Sequence, residues 1–129
     1  MNGRFLLDTN VVIAVLEKDV SITRRLLPEM QLFLSSTVLG ELLYGAYHSV
    51  RVRHNLERAK ALAAIVPVLP CDAETADAFG SLKSHLRKKG RPIPDNDIWI
   101  AAVAYKGQLT LITRDRHFQE IESLNAYIW

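Results

Sequence analysis

Short apolar runs of strand length alternate along this chain with longer stretches that have a helical pattern. Phe5-Leu6-Leu7 is continuous and apolar, and Gln31–Ser35 and Leu109–Thr113 have the length and composition of further strands. Strands that alternate with helices build βαβ units, and continuously apolar strands are typical of a parallel sheet covered on both faces. The sequence therefore predicts an α/β fold, a sandwich of helices around a central, mostly parallel sheet of four to five strands.

The remaining elements follow from local signals. Ile65–Leu69 and Ala126–Trp129 are predicted as the other two strands, and Pro67 places the former at an edge or a strand start. A helix is expected at 22–27, a second begins after a cap at Ser36 or Thr37, and a third begins at about Arg53. A fourth helix runs from a cap at Asp72 to about Lys89, and a fifth runs from the Asp95 region to Gly107.

Composition excludes several classes of protein. The 129 residues are 49% hydrophobic and 23% charged, which is typical of one globular domain spanning 1–129 and not of a disordered chain. No apolar run approaches the roughly 20 residues of a membrane span, and the apolar run after Met1-Asn2-Gly3-Arg4 is too short for a signal peptide. With Cys71 as the single cysteine, the default expectation is a cytoplasmic protein.

Four acids fall where such a sheet would gather them. Asp8 directly follows the first strand, Asp115 follows the fourth, and Glu41 lies about one turn into the helix after the second. Asp97 opens a helix that runs antiparallel to the strands. Ligands of α/β sheets bind beyond the carboxyl ends of the strands. We therefore expect these four carboxylates to converge at that edge.

Each acid also has a purely structural explanation. Asp8 could cap a helix together with Asn10, Glu41 could be an exposed helix residue, Asp97 could be a first-turn acid favoured by the helix dipole, and Asp115 could be a turn residue; Asp95 and Asn96 are expected to begin their helix. Several carboxylates side by side, however, cannot all stay ionised without a cation. Their joint placement therefore favours a metal site.

Hard oxygen ligands without paired cysteine or histidine favour Mg²⁺ or Mn²⁺, and the chemistry that fits is metal-assisted hydrolysis of a phosphodiester. Two basic clusters could hold the neighbouring phosphates of a polynucleotide. Their alternative role is that of a solvated helix face. The first cluster is Lys83, Arg87, Lys88, Lys89 and Arg91, and the second is Arg51, Arg53, His54, Arg58 and Lys60.

Four motifs, in order, span essentially the whole chain: LLDTNVVI (6–13), SSTVLGELLYG (35–45), DNDIWIAAVA (95–104) and LITRDRHFQEI (111–121). They resemble the PIN-domain ribonucleases, and within them the VapC-type toxins of bacterial toxin–antitoxin pairs. The resemblance implies a PIN-like α/β/α sandwich and a single PIN domain over 1–129.

The resemblance also assigns roles to residues. It implies a Mg²⁺ or Mn²⁺ ion bound chiefly by Asp8 and Asp97, with Glu41 and Asp115 completing the site directly or through water. Polar neighbours that support the site match Thr9, Asn10 and Thr113, and Asp95 matches a less fixed position, so we expect it to support the site without binding the ion.

The family further implies a homodimer, an RNA substrate such as tRNA or ribosomal RNA, and a small antitoxin whose tail crosses the acidic pocket. Operator DNA would be contacted only indirectly, through the antitoxin. The main alternative is a non-catalytic PIN module that serves within such a DNA complex. A phosphoryl-transfer domain with Asp8 as nucleophile is disfavoured, because residue 10 is Asn and no strand-end lysine follows. His117 is expected to be structural or peripheral.

Overall fold

Parallel strands form the centre of the protein in a computed structural model that describes residues 3–129. Met1 and Asn2, the first residues of the segment that is predicted not to be a signal peptide, lie outside the described residues. The sheet has the order β3-β2-β1-β4-β5 and all its pairings are parallel, as predicted. Its strands are β1 (Gly3–Leu7), β2 (Met30–Ser35), β3 (Val68–Leu69), β4 (Thr110–Thr113) and β5 (Ala126–Ile128).

Helices connect the strands and cover the sheet. Going from β1 to β2 to β3 the chain moves in one direction along the sheet, and it then returns past β1 to β4. Right-handed crossovers therefore place the helices of the two directions on opposite faces, which gives the α/β/α sandwich. The helices are α1 (Thr9–Leu16), α2 (Val20–Thr23), α3 (Ser36–Tyr47), α4 (Val52–Ile65), α5 (Ala73–Lys88) and α6 (Asp95–Gly107), and a 3₁₀ helix spans Arg116–Glu120.

The core lies where β1, β4 and α6 meet. Leu6, Leu111 and Ile112 have no exposed surface, because these strands are central in the sheet and covered on both sides. Helix α6 is buried along Ile100–Ala104, including all of its small alanine positions. A helix that is apolar on nearly every side belongs inside a protein. The residues at its N-terminus are therefore held by a rigid element.

Three boundary predictions were wrong. Ile65 ends α4 and is exposed, so β3 keeps only two residues; Pro67 has no N–H to donate and serves as an acceptor for the Leu34 amide. The helix expected over 22–27 is the single turn Val20–Thr23, and Pro28 excludes its continuation. The cap of α3 is the buried Ser35, whose hydroxyl accepts from the Val38 amide.

The start of α6 also differs from expectation. The cap position is Pro94, and neither Asp95 nor Asn96 caps the helix through its side chain. Asp95 is instead the first helical residue, where its charge, like that of Asp97, favours the helix dipole. The predicted cap at Asp72 and the predicted end at Gly107 are confirmed. Between residues 3 and 129, no helix combines the length and the apolar character that crossing a membrane would need.

Candidate active site

Asp8 sits between two elements at the carboxyl end of β1. Its backbone continues the strand, because its amide donates to the Ile112 carbonyl, while its side chain caps α1 by accepting from the Thr9 amide at 2.8 Å. The second carboxylate oxygen accepts a hydrogen bond of 2.6 Å from the Thr113 hydroxyl. Only 4% of Asp8 is exposed. The cap and the site are therefore not alternatives, since the same carboxylate serves both.

The end of β4 is fastened to the start of α1. The Thr113 hydroxyl also accepts from the Asp115 amide at 3.0 Å, so one buried group orients two acids. The Asn10 side chain accepts from the Arg114 amide at 3.1 Å and joins α1 to the same loop. This places Asp115 at the sheet edge beside Asp8. Thr113 and Asn10 thus have the positions that supporting residues would need.

Asp97 reaches the same edge from the first turn of α6, where it meets His117. The His117 Nε2 atom lies 2.6 Å from Asp97 Oδ2 and 2.9 Å from Asp115 Oδ2. The side chain of Asp97 is 15% exposed and that of His117 is 33% exposed, so solvent reaches part of both side chains. His117, expected at the periphery, lies inside the acidic group.

From the sequence, His117 is a candidate general base, but a structural or peripheral role is expected instead, because the family resemblance implies that metal-bound water does this chemistry. The short spacing between Asp115 and His117 could have indicated that they lie together. His117 follows Asp115 by two residues, and the 3₁₀ helix at Arg116–Glu120 begins there, capped by Asp115 Oδ1, which accepts from the His117 amide at 3.2 Å.

Glu41 enters the site from the second turn of α3. Its Oε1 atom is enclosed and, within residues 3–129, has no hydrogen-bond partner; the same holds for the hydroxyl of Thr9. A buried carboxylate oxygen without a partner is costly, so such an atom calls for a cation or ordered water. The charges of Asp8 and Asp97 both act on Glu41, which places it beside them.

Burial raises the pKa of three of these carboxyl groups. For Asp8, burial outweighs the hydrogen bonds from Thr113 and Thr9, and the charges of Asp97 and Asp115 raise the pKa further. Burial is also the main cause for Glu41 and for Asp97. The polar side chains of Asn96 and Thr9 offset part of it at Glu41, and His117 does so at Asp97. The site therefore resists holding all its negative charge without a counter-ion.

The residues present fit a divalent cation. One ligand atom each from Asp97, Asp115 and His117 lie within 4.8 Å of one another. Asp8 and Glu41 lie outside this group but near it, since the charges of Asp97 and Asp115 raise the pKa of Asp8, and those of Asp8 and Asp97 raise the pKa of Glu41. Carboxylate oxygens are the ligands that Mg²⁺ and Mn²⁺ prefer. The four acids that the sequence singled out thus lie near one sheet edge, and of these Asp97 and Asp115 form the close group with His117.

Other candidates have different surroundings. The Asp95 carboxylate forms an exposed ion pair with Lys83 at 2.9 Å. Lys89 contacts the Glu120 carbonyl and lies 3.4 Å from the Glu122 carboxylate, and Arg91 lies 3.9 Å from that of Glu120. The first basic cluster, free of acids in sequence, therefore meets acids from other elements. In the second cluster Arg53 pairs with Glu57, and Arg58 donates to the Leu16 carbonyl.

Comparison with known proteins gives one family. The profile described as the PIN domain matches residues 5–124. Ribonuclease VapC1 of Haemophilus influenzae (strain R2866) is 32% identical over 130 residues, covering 97% of each chain. The tRNA(fMet)-specific endonuclease VapC of Shigella flexneri is 32% identical over 129 residues, covering 98% of each.

Solved structures give the same result. VapBC-1 from nontypeable Haemophilus influenzae superposes with a TM-score of 0.84 at 32% identity, covering 98% of both chains. DNA-bound VapBC from Salmonella typhimurium superposes with a TM-score of 0.87 at 30% identity, again over 98% of both chains. VapBC2 from Rickettsia felis, bound to a promoter DNA fragment, reaches 0.88 at 26% identity, covering 98% of this chain and 99% of that one.

Proposed function

Because the chain belongs to the PIN-domain family and, within it, to the VapC-type ribonucleases, we propose that it is a metal-dependent endoribonuclease that serves as the toxin of a toxin–antitoxin pair. The observation that carries the proposal is the convergence of Asp8, Glu41, Asp97 and Asp115 at one sheet edge. The raised pKa values of Asp8, Glu41 and Asp97 and the unpartnered Glu41 oxygen favour an occupied cation site over a merely structural cluster.

In this proposal Asp8 and Asp97 are the main ligands of a Mg²⁺ or Mn²⁺ ion, and Glu41 and Asp115 complete the site directly or through water. Asp8 is fixed by hydrogen bonds to both of its oxygens, and Asp97 stands on the buried helix α6. Ligands held this firmly need little reorganisation when the ion binds. When bound, the cation activates a water molecule and stabilises charge that develops on the phosphodiester.

The first basic cluster lies beside the acids. Lys83 contacts Asp95, two residues before Asp97, and Lys89 contacts Glu120, three residues after His117. Arg87 and Lys88 are exposed, and within residues 3–129 they form no ion pair. This surface is placed to hold the phosphates that flank a scissile bond. We propose a structured RNA as substrate, with tRNA as the first to test because two of the relatives are named tRNA(fMet)-specific endonucleases.

The proposed protein partner is a small antitoxin, since the structural relatives include toxin–antitoxin complexes, some on promoter DNA. A groove of about 270 Å³ next to Glu41 could receive it, with an apolar floor that includes Leu42, Ala46 and Ala59 and with Glu17 at its rim. Operator DNA would then be contacted through the antitoxin. A homodimer and a cytoplasmic location, where RNA targets are found, complete the proposal.

The direct test is cleavage by the purified chain, freed of antitoxin, of a tRNA and ribosomal RNA mixture with mapping of the new RNA ends. Cleavage should require Mg²⁺ or Mn²⁺ and stop in EDTA. Asp8→Asn and Asp97→Asn should each lower the rate by at least about a thousandfold, because a cation site that loses a main ligand loses its chemistry. Both variants should remain folded by circular dichroism.

Asp77→Asn is the matched control, because Asp77 is an exposed acid on α5. This variant should cleave RNA at the wild-type rate. Undiminished cleavage by Asp8→Asn or Asp97→Asn would overturn the metal-site assignment. If the wild-type chain binds RNA or antitoxin but cleaves no RNA with either ion, the non-catalytic alternative would hold instead.

A further inference from the structure

His117 is the one member of the acidic group that is not an acid. It occupies the 3₁₀ helix after β4, and its position is fixed from two sides. Its backbone amide donates to Asp115 Oδ1 at 3.2 Å, and the next residue, Phe118, is buried in the core with 1% exposure. The imidazole therefore does not reach the site by a chance rotation of a surface side chain.

The spacing around the His117 Nε2 atom matches that of metal ligands. It lies 2.6 Å from Asp97 Oδ2 and 2.9 Å from Asp115 Oδ2. Two ligands at right angles on an ion with bonds of roughly 2.1 Å lie about 3 Å apart. The Nε2 atom thus already has nearly the separation of a neighbouring ligand from each of the two oxygens, and small outward shifts that break the hydrogen bond to Asp97 would admit an ion between them.

We propose that His117 contributes Nε2 as a nitrogen ligand to the cation held by Asp97 and Asp115, and thereby shifts the preference of the site from Mg²⁺ towards Mn²⁺. The inference rests on the proposed function. Both ions accept carboxylate oxygens, but Mn²⁺, as a first-row transition-metal ion, also accepts an imidazole nitrogen, which the harder Mg²⁺ binds only weakly. An all-carboxylate site would not discriminate in this way.

The test measures binding of Mn²⁺ and of Mg²⁺ by calorimetry to the wild-type chain, to His117→Asn, and to His85→Asn. His85 is an exposed histidine on α5 that does not belong to the group of Asp97, Asp115 and His117, so its substitution is the matched control. His117→Asn should raise the Kd for Mn²⁺ by about tenfold or more and that for Mg²⁺ by less than about threefold. His85→Asn should change neither.

A second readout does not depend on a variant. Pulsed electron paramagnetic resonance of bound Mn²⁺ should show coupling to a directly coordinated nitrogen nucleus in the wild-type and His85→Asn proteins, and His117→Asn should lack it. Absence of the coupling in the wild type would overturn the proposal even if His117→Asn failed to fold. If His117→Asn lost affinity for Mn²⁺ and Mg²⁺ to the same extent, the proposal would also be overturned, because His117 would then only position the carboxylates.

The two proposals can fail separately. If Asp97→Asn abolishes RNA cleavage while His117→Asn binds Mn²⁺ like the wild type, only the ligand role of His117 is wrong. If Asp97→Asn keeps full cleavage, the proposed metal-dependent function is wrong, whatever His117 binds.

Discussion

The hydroxyl of Thr113 joins two acids of the site. It donates to Asp8 and accepts from the amide of Asp115, and it is fully buried at the end of β4. We expect Thr113→Val to destabilise the protein by about 1–3 kcal/mol, because it leaves a buried carboxylate oxygen and a backbone amide unsatisfied. RNA cleavage should also fall, since Asp8 loses one of its two restraints. Urea unfolding and the cleavage assay measure the two effects.

Thr113→Ser is the matched comparison because it keeps the hydroxyl and removes one methyl group. Its cost should be about 1 kcal/mol, the size expected for a small buried void, and cleavage should stay near the wild-type rate. If Val and Ser variants lost activity to the same extent, the hydroxyl would not be the group that orients the acids.

The raised pKa values of Asp8, Glu41 and Asp97 predict how stability depends on pH without metal. A carboxyl group whose pKa is higher in the folded state stabilises the fold below its unfolded pKa of about 4, and that stabilisation is lost as pH rises through the folded pKa. Asp19 and Asp72, whose pKa values are lowered to about 2 by hydrogen bonds led by those from Arg114 and the Thr75 amide respectively, act oppositely. Their stabilisation is lost as pH falls from about 4 to about 2.

Glu41→Gln tests the first effect, because Oε1 of Glu41 has no hydrogen-bond partner among the described residues and glutamine keeps a side-chain oxygen that Asn96 and Thr9 can contact. In EDTA the variant should melt a few degrees higher than the wild type at neutral pH, and the difference should shrink towards pH 4. The gain is small because water reaches part of the side chain. Added Mn²⁺ should stabilise the wild type more than the variant, since a ligand that binds the folded state raises Tm.

Glu17→Gln is the control, because Glu17 is exposed and follows the end of α1. It should shift Tm equally little at every pH. A Glu41→Gln protein that is less stable than the wild type in EDTA at neutral pH would show that this carboxylate is already compensated within the protein.

Among the elements, α3 depends most clearly on one residue at its start. Ser35 ends β2 and caps α3, so its hydroxyl links the strand to the helix that carries Glu41. Ser35→Ala should cost about 1 kcal/mol, the usual value for a lost cap. Ser36→Ala should cost less than about 0.5 kcal/mol, because Ser36 is exposed and contacts only the Cys71 sulfur at 3.5 Å among hydrogen-bonding partners in the described chain. The reverse order in urea unfolding would contradict the assignment.

The elements with strong periodicity were predictable from sequence. The strands β1, β2 and β4 and the helix α6 follow from apolar patterns that tertiary packing reinforces, because all of them lie in the core. The strand β3 was not, since Ile65 and Val66 have the composition of a strand but extend α4 and its end. The boundary between α4 and β3 depends on which of the two elements the residues between them join, and the local sequence pattern does not show this.

The common location of the four acids was predictable because strand ends and helix starts of a parallel sheet share an edge. His117 was not predicted to belong to the site, because its place depends on the path of the loop after β4, which is set by the Thr113 and Asn10 hydrogen bonds. The partners of the basic residues were also hidden, since Glu120 and Glu122 lie about thirty residues away along the chain from Lys89. Long-range pairing of this kind leaves no local signal.

At the scale of the whole molecule, charge is distributed unevenly around a net value of only +2. We expect Arg87→Ala combined with Lys88→Ala to weaken RNA binding. The slope of log K against log salt concentration should become shallower by about 1–2, because fewer counter-ions are released when fewer phosphate contacts form. Filter binding with the inactive Asp8→Asn protein at several salt concentrations measures this.

The comparison is Arg51→Ala combined with Lys60→Ala, which removes the same charge from the other basic cluster on and beside α4. It should leave the salt slope nearly unchanged. Equal effects of the two pairs would indicate a general response to net charge and not a binding surface beside the acids.

The sheet order has a consequence for the synthesis of the chain. Strand β4 pairs with β1 at the centre of the sheet, yet it comes after more than a hundred residues, and Asp115 and His117 follow it. Until those residues leave the ribosome, Asp8 lacks its Thr113 partner and Asp97 lacks its neighbours. A nascent chain therefore has no assembled acidic group until β4 and the residues after it have been made. The group can form only once β4 has docked beside β1, a pairing that closes a loop of more than a hundred residues.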